Sequence, residues 1–176
     1  MINWKNWFSK QASWKEKIYT SLGAFFIILF LMLITMQISA QSTLFLPVIA
    51  PMGASTLLLT VAPHTRMAQP WPIVGGHLVS ATVGVFCSLW INYPPLSAAL
   101  AVGFAIFIMH NLKCLHAPAA ATALITTLSK NEIQSLGWQF CYQVVLLNVL
   151  ILLTIAVVFH YSPLGKSYPR KKIKSR

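Results

Sequence analysis

Pro51-Met52-Gly53-Ala54-Ser55-Thr56-Leu57-Leu58-Leu59-Thr60 and Ala117-Pro118-Ala119-Ala120-Ala121-Thr122-Ala123-Leu124-Ile125-Thr126 read almost alike, and each is the middle apolar segment of three. A proline or glycine interruption at matching places in two halves of a hydrophobic chain points to discontinuous helices whose ends meet at a central site, the arrangement of transporters built from repeats. Three crossings per half start the second half from the opposite side, so the repeat is inverted. The pattern predicts an all-α integral membrane protein with six membrane segments, two of them broken or half helices, in an inverted three-plus-three repeat.

Composition agrees. Hydrophobic residues make up 57% of the 176 residues and charged residues 9%, against about 45–50% and about 25% in soluble domains. Each helical crossing takes about 20 apolar residues, which leaves no room for a soluble catalytic domain. The net charge of +11 sits mainly at the two ends: Lys5, Lys10, Lys15 and Lys17 precede the first apolar segment, and six Lys or Arg residues from Lys166 to Arg176 follow the last. Such clusters set orientation and bind anionic lipid headgroups, so the charge calls for no nucleic acid. Residues 1–17, with Trp4, Trp7, Phe8 and Trp14 among the lysines, read as an amphipathic cytoplasmic segment in the headgroup layer. Residues 18–160 read as the transmembrane domain and 161–176 as a basic cytoplasmic tail. The N-terminal stretch carries no convincing signal-peptide cleavage site and is read as part of the mature chain.

The first span, about residues 18–38, is uninterrupted. The second, 44–62, contains Pro47 and then Pro51-Met52-Gly53, which predicts an entry leg followed by a short helix beginning near Gly53. The third, 73–91, carries Gly75, Gly76 and Gly84, small residues that permit close packing. A fourth segment covers 96–112, a short helix 119–128, and the longest segment 136–159. With both ends cytoplasmic and all six segments crossing, the loops holding Arg66 and Lys113 face inward, while residues 37–43 and 92–95 face outward without charge. This favours six passages over four spans with two re-entrant loops. The expected location is a bacterial inner membrane, with both termini cytoplasmic.

A helix starting inside the membrane presents unpaired N–H groups and the positive end of its dipole, a ready anion site. The candidate substrate-binding residues are therefore Gly53, Ala54, Ser55 and Thr56 at one start and Ala119, Ala120 and Thr122 at the other, with His77 and His116 beside them. Small residues admit a small ion, and Ser55, Thr56 and Thr122 offer hydroxyls. The alternative is that small residues serve packing and hydroxyls bond within their own helices; for the histidines, a neutral clamp between helices stands level with substrate contact. Lys113 reads as snorkelling, and His64, Arg66 and His110 as loop or interfacial groups.

Cys87, Cys114 and Cys141 show no metal-ligand spacing and read as buried thiols. Met52, His64, Met67, His77, Cys87, His110, Cys114 and His116 form a soft inventory that would suit copper, without a paired motif. With Glu16 and Glu132 as the only acidic residues, carboxylate acid–base chemistry has almost nothing to work with, so no enzyme and no cofactor is expected.

The run Lys113-Cys114-Leu115-His116-Ala117-Pro118-Ala119-Ala120-Ala121-Thr122-Ala123-Leu124 resembles the His-Pro-Pro-Ala-Gly-Ala-Thr-Ala-Leu signature of the HPP family of integral membrane proteins. Gln69-Pro70-Trp71-Pro72-Ile73-Val74-Gly75-Gly76-His77 resembles that family's second block, and Pro51-Met52-Gly53-Ala54-Ser55 its first. Members in cyanobacteria and chloroplasts are associated with nitrite transport, so the resemblance implies passage of a small anion, nitrite, by channel or carrier. The chain departs from the signature at Ala117, where the first proline stands, and at Ala120, where glycine is usual. An accessory or structural membrane subunit is the non-transport alternative. Glycine faces at Gly75, Gly76, Gly84 and Gly103 would allow a homo-oligomer.

Overall fold

A computed structural model describes residues 12–38, 42–161 and 168–169. Trp4, Trp7, Phe8 and most of the basic tail lie outside them. The described chain is helical: α1 (Trp14–Ile38), α2 (Ser42–Val61), a 3₁₀ turn (Arg66–Ala68), α3 (Pro70–Trp90), α4 (Pro94–Asn111), α5 (Ala117–Leu128), α6 (Lys130–Leu136), then a π-helical stretch (Phe140–Leu146) running into α7 (Leu147–His160). Among the described residues, four helices are long and apolar enough to cross a membrane: Trp14–Gln37, Pro70–Trp90, Pro94–Asn111 and Phe140–His160. Ala50–Val61 within α2 and Ala117–Leu128 are shorter apolar stretches. The chain is thus an all-α, multi-pass integral membrane protein.

Contacts at one end of the bundle fix the path. Trp71 Nε1 donates to the Leu112 carbonyl (3.2 Å), joining the start of α3 to the end of α4. Tyr19 hydroxyl donates to the Phe159 carbonyl (3.3 Å) and the two rings stack at 4.6 Å, joining the start of α1 to the end of α7. Gly23 lets the Phe159 ring lie on the α1 backbone. His160 Nε2 donates to the Leu59 carbonyl (2.9 Å), bringing in the end of α2. Both outer helices and the loops bearing Arg66 and Lys113 therefore share this end, and the turn at residues 91–93 lies at the other. Helix α5 starts at the shared end, and the last span starts at the far one. Among the described residues the chain thus runs six times between the two ends of the bundle, the fifth time through α5, α6 and the turn at Gly137 (φ 53°).

The packing has the symmetry of an inverted repeat. The first helix of each half packs on the second, α1 on α2 and α4 on α5; the third helix of each half packs on the first two of the other, α3 on α4 and α5, α7 on α1 and α2. The two middle helices, α2 and α5, meet at the centre.

One expectation is corrected. No helix begins near Gly53: α2 runs unbroken from Ser42 to Val61, and Gly53 lies in its interior. At about 1.5 Å per residue, its 20 residues are long enough to span the apolar core. Pro47 and Pro51 each remove one donor, but stand one helical turn apart on the same face, so the damage is confined to one side and flanking apolar residues continue the helix on the other. Helix α5, with 12 residues and Pro118 at its second position, is short as expected.

Candidate functional site

Helix α5 begins beneath the loop end of the bundle because α3 has no side chains there. A Cβ on Gly76 would stand 2.8 Å from His116 Cβ and 3.1 Å from the Cys114 carbonyl; one on Gly75, 2.9 Å from Cys114 Cβ; one on Gly84, 2.7 Å from Thr126 Cβ. Gly76, Ser80 and Gly84, spaced by four, form a groove in which α5 lies parallel to α3. The expected oligomer faces at Gly75, Gly76 and Gly84 are thereby used up inside the chain, whereas Gly103 faces open space. The turn feeding α5 is sharp. Cys114 N–H donates to the Met109 carbonyl (3.0 Å) and Lys113 N–H to the His110 carbonyl (3.2 Å), a Schellman closure with Lys113 in the left-handed region at φ 54°.

In this corner four predicted residues join in one buried network. Ser55 Oγ lies 3.0 Å from His77 Nε2 and 2.8 Å from His116 Nε2. His77 Nδ1 lies 2.7 Å from Thr122 Oγ1, and His116 Nδ1 lies 2.7 Å from the Met67 carbonyl. All four side chains are at most 1% exposed. The imidazoles meet edge to face, centroids 5.0 Å apart. A carbonyl only accepts, so His116 Nδ1 carries a proton and donates to Met67. With both rings neutral, the remaining bonds then have a single consistent direction: Ser55 hydroxyl donates to His116 Nε2, His77 Nε2–H to Ser55 Oγ, and Thr122 hydroxyl to His77 Nδ1. The network ties α2, α3, α5 and the 3₁₀ turn together.

The remaining candidates divide. Ala119 is buried against Gly76. Ala120 is half-buried, Gly53 half-buried with nothing within 4 Å of a Cβ, and Ala54 exposed. Thr56 is buried, but its hydroxyl donates to the Met52 carbonyl of its own helix (2.9 Å). The expected pair of facing helix starts is therefore replaced by one start, at α5, facing the side of a continuous helix. His116 occupies the cap position of α5 without bonding back to it, its ring being committed to Met67 and Ser55. The first turn of α5 thus lacks a side-chain cap.

Three features lay beyond the sequence reading. The Met67 carbonyl is a backbone group with no residue-type signal. The Ser80, Ser88 and Ser97 hydroxyls are buried without a hydrogen-bond partner, and a serine in an apolar helix ordinarily bonds within its own helix. Tyr168, assigned to the tail, is buried with its ring 5.3 Å from His160. The three cysteines are free and buried, and among the described residues no three His, Cys, Asp or Glu side chains converge as metal ligands would.

Residues 9–169 match the HPP transmembrane region. The chain belongs to the HPP family. A transmembrane protein of Dictyostelium discoideum is 32% identical to this HPP chain over 164 residues, covering 90% of the chain and 52% of that protein. A second Dictyostelium transmembrane protein is 31% identical over 125 residues, covering 69% and 44%. This HPP chain thus spans about half the length of the curated relatives it matches. No solved structure matches it. At the positions where the chain departs from the signature, Ala117 is the exposed first residue of α5 and Ala120 is half-buried.

Proposed function

We propose that this HPP protein is a transporter and not an enzyme, and that it moves a small monovalent inorganic anion, nitrite foremost, by channel or carrier. The observation that carries this reading is the start of α5: an uncapped helix N-terminus inside a membrane bundle, ringed by the hydroxyl and imidazole groups of Ser55, His77, His116 and Thr122. The positive end of the helix dipole favours a negative ion there. The whole chain holds two carboxylates, Glu16 and Glu132, so little opposes an anion and Asp or Glu coupling to Na⁺ is disfavoured. Nitrite is preferred on family resemblance. Under the positive-inside rule the end bearing Arg66, Lys113 and both outer helix termini is cytoplasmic, in a bacterial inner membrane, with the basic ends on anionic headgroups. Gly103, open on the surface of α4, gives a second copy a place to pack.

Flux into liposomes with nitrite, nitrate, formate and chloride tests the proposal: saturable uptake of at least one of these anions above protein-free vesicles is expected, and no flux of any contradicts it. A second reading has its own observation. Every ring nitrogen of His77 and His116 already has a partner, as a clamp in an accessory membrane subunit requires, and absent flux would favour it.

A further inference from the structure

The polar network holds one more acceptor than its hydrogens need. Besides facing both imidazoles, Ser55 Oγ lies 3.1 Å from the Pro51 carbonyl one turn back along α2. The hydroxyl has one hydrogen and two places to put it. Pointed at His116 Nε2, it makes the neutral arrangement derived above. Turned to the Pro51 carbonyl, it leaves Ser55 Oγ free to accept from both rings, and His116 Nε2 must then carry a proton. The same heavy-atom positions thus accommodate two states that differ by one proton, and the passage between them is the rotation of one hydroxyl.

The surroundings decide what that proton would require. From α3 the network receives His77 itself; α2 and α5 contain no titratable residue. From the turn before α5 come His116 and the buried Cys114 thiol against Gly75, while Lys113 and, on the 3₁₀ turn, Arg66 are exposed. His160 is engaged elsewhere, at the Leu59 carbonyl. Among the described side chains no carboxylate faces the pair. A proton on His116 would be an uncompensated charge in the membrane interior, which is costly. A second proton, on a ring 5.0 Å away, would meet like-charge repulsion. The pair therefore holds at most one proton, and only with a negative partner.

The geometry points to coupled passage of one proton with one monovalent anion, the proton on the His77–His116 pair and the anion at the adjacent start of α5. This rests on the anion reading above and adds the coupled ion and the stoichiometry. A proton from water binds His116 Nε2 as the Ser55 hydroxyl turns to Pro51. The anion supplies the countercharge and the loaded site is neutral. Release of both on the other side returns the Ser55 hydroxyl to His116. No bond other than N–H forms or breaks, and nothing is oxidised or reduced.

Two measurements on the full chain test this. In weakly buffered detergent, saturating nitrite should draw one proton from solution per nitrite bound near neutral pH, against a blank of nitrite added to protein-free detergent. Binding without proton uptake would overturn the coupling and leave the anion reading standing; binding of none of nitrite, nitrate, formate and chloride would overturn both. In liposomes corrected for nitrous acid leak, nitrite flux should acidify the receiving side by one proton per anion and should not change when valinomycin and K⁺ impose a membrane potential. Flux that rises toward the positive side would overturn the coupling. His116→Gln keeps a hydrogen-bonding group that takes no proton, so nitrite bound by the folded variant should draw in less than a tenth of the parent's protons. Parent-like uptake by that variant would overturn the assignment to the pair.

Discussion

Helices α2 and α5 hold equivalent places in the two halves, carry similar sequence and meet at the centre, yet one is a continuous helix of 20 residues and the other a short helix of 12. The difference teaches that a proline's effect depends on where the chain ahead of it has turned. Pro118 follows a Schellman turn and sits at the second helical position, where its missing N–H would have had no partner. Pro47 and Pro51 follow apolar residues already in helix, and their lost donors are absorbed within it. Only the second half consequently offers a helix start to the buried network; the first half offers a hydroxyl, Ser55, from the side of a helix.

The contrast is testable at single residues. Removing the imidazole that ties the start of α5 to its neighbours should cost most: His116→Ala orphans the Met67 carbonyl and breaks the bond to Ser55, at about 1–3 kcal/mol for each unsatisfied group. Thermal unfolding in detergent should show a large drop, and a melting point equal to the parent's would mean that the network does not hold α5. Next come the glycines, where the sign itself should differ. Gly76→Ala drives a Cβ against His116 and the Cys114 carbonyl and should destabilise by about 1–3 kcal/mol through overpacking. Gly53→Ala, in open space within a helix, should instead stabilise by up to about 1 kcal/mol. Equal effects would show that the two helices are packed alike.

The prolines should separate as well. Pro51→Ala restores a donor in a helix interior and should stabilise α2 by less than the about 3 kcal/mol that an interior proline costs, whereas Pro118→Ala should change little. A smaller effect is expected at the turn itself: Lys113→Gly removes the strain of a side chain at φ 54° and should raise stability by about 1 kcal/mol. A loss there would mean that the lysine side chain holds the turn.

Much of this was legible in residue types. Apolar runs and matched motifs marked the membrane segments and the inverted pairing, because length and hydrophobicity constrain any chain in lipid. His77, His116, Ser55 and Thr122 were legible because polar side chains in apolar helices need partners. What was not legible followed from geometry. Whether Pro51 ends a helix depends on residues 42–50, whose composition suits helix and entry leg equally. Gly75, Gly76 and Gly84 announced close packing but not against which surface; the groove they form is filled by α5 of the same chain. The Met67 carbonyl, which fixes the tautomer of His116, belongs to a backbone and leaves no mark in sequence.

The central claim is that the ion passes at the start of α5 and not at Gly53. Nitrite uptake into liposomes by His116→Ala and Gly53→Leu, reconstituted side by side with the parent, tests it most directly. Gly53→Leu should transport at the parent rate, since nothing lies within 4 Å of its Cβ position, and His116→Ala should fall at least about tenfold, the equivalent of about 1.4 kcal/mol. Loss of uptake in folded Gly53→Leu, with His116→Ala transporting like the parent, would contradict the account.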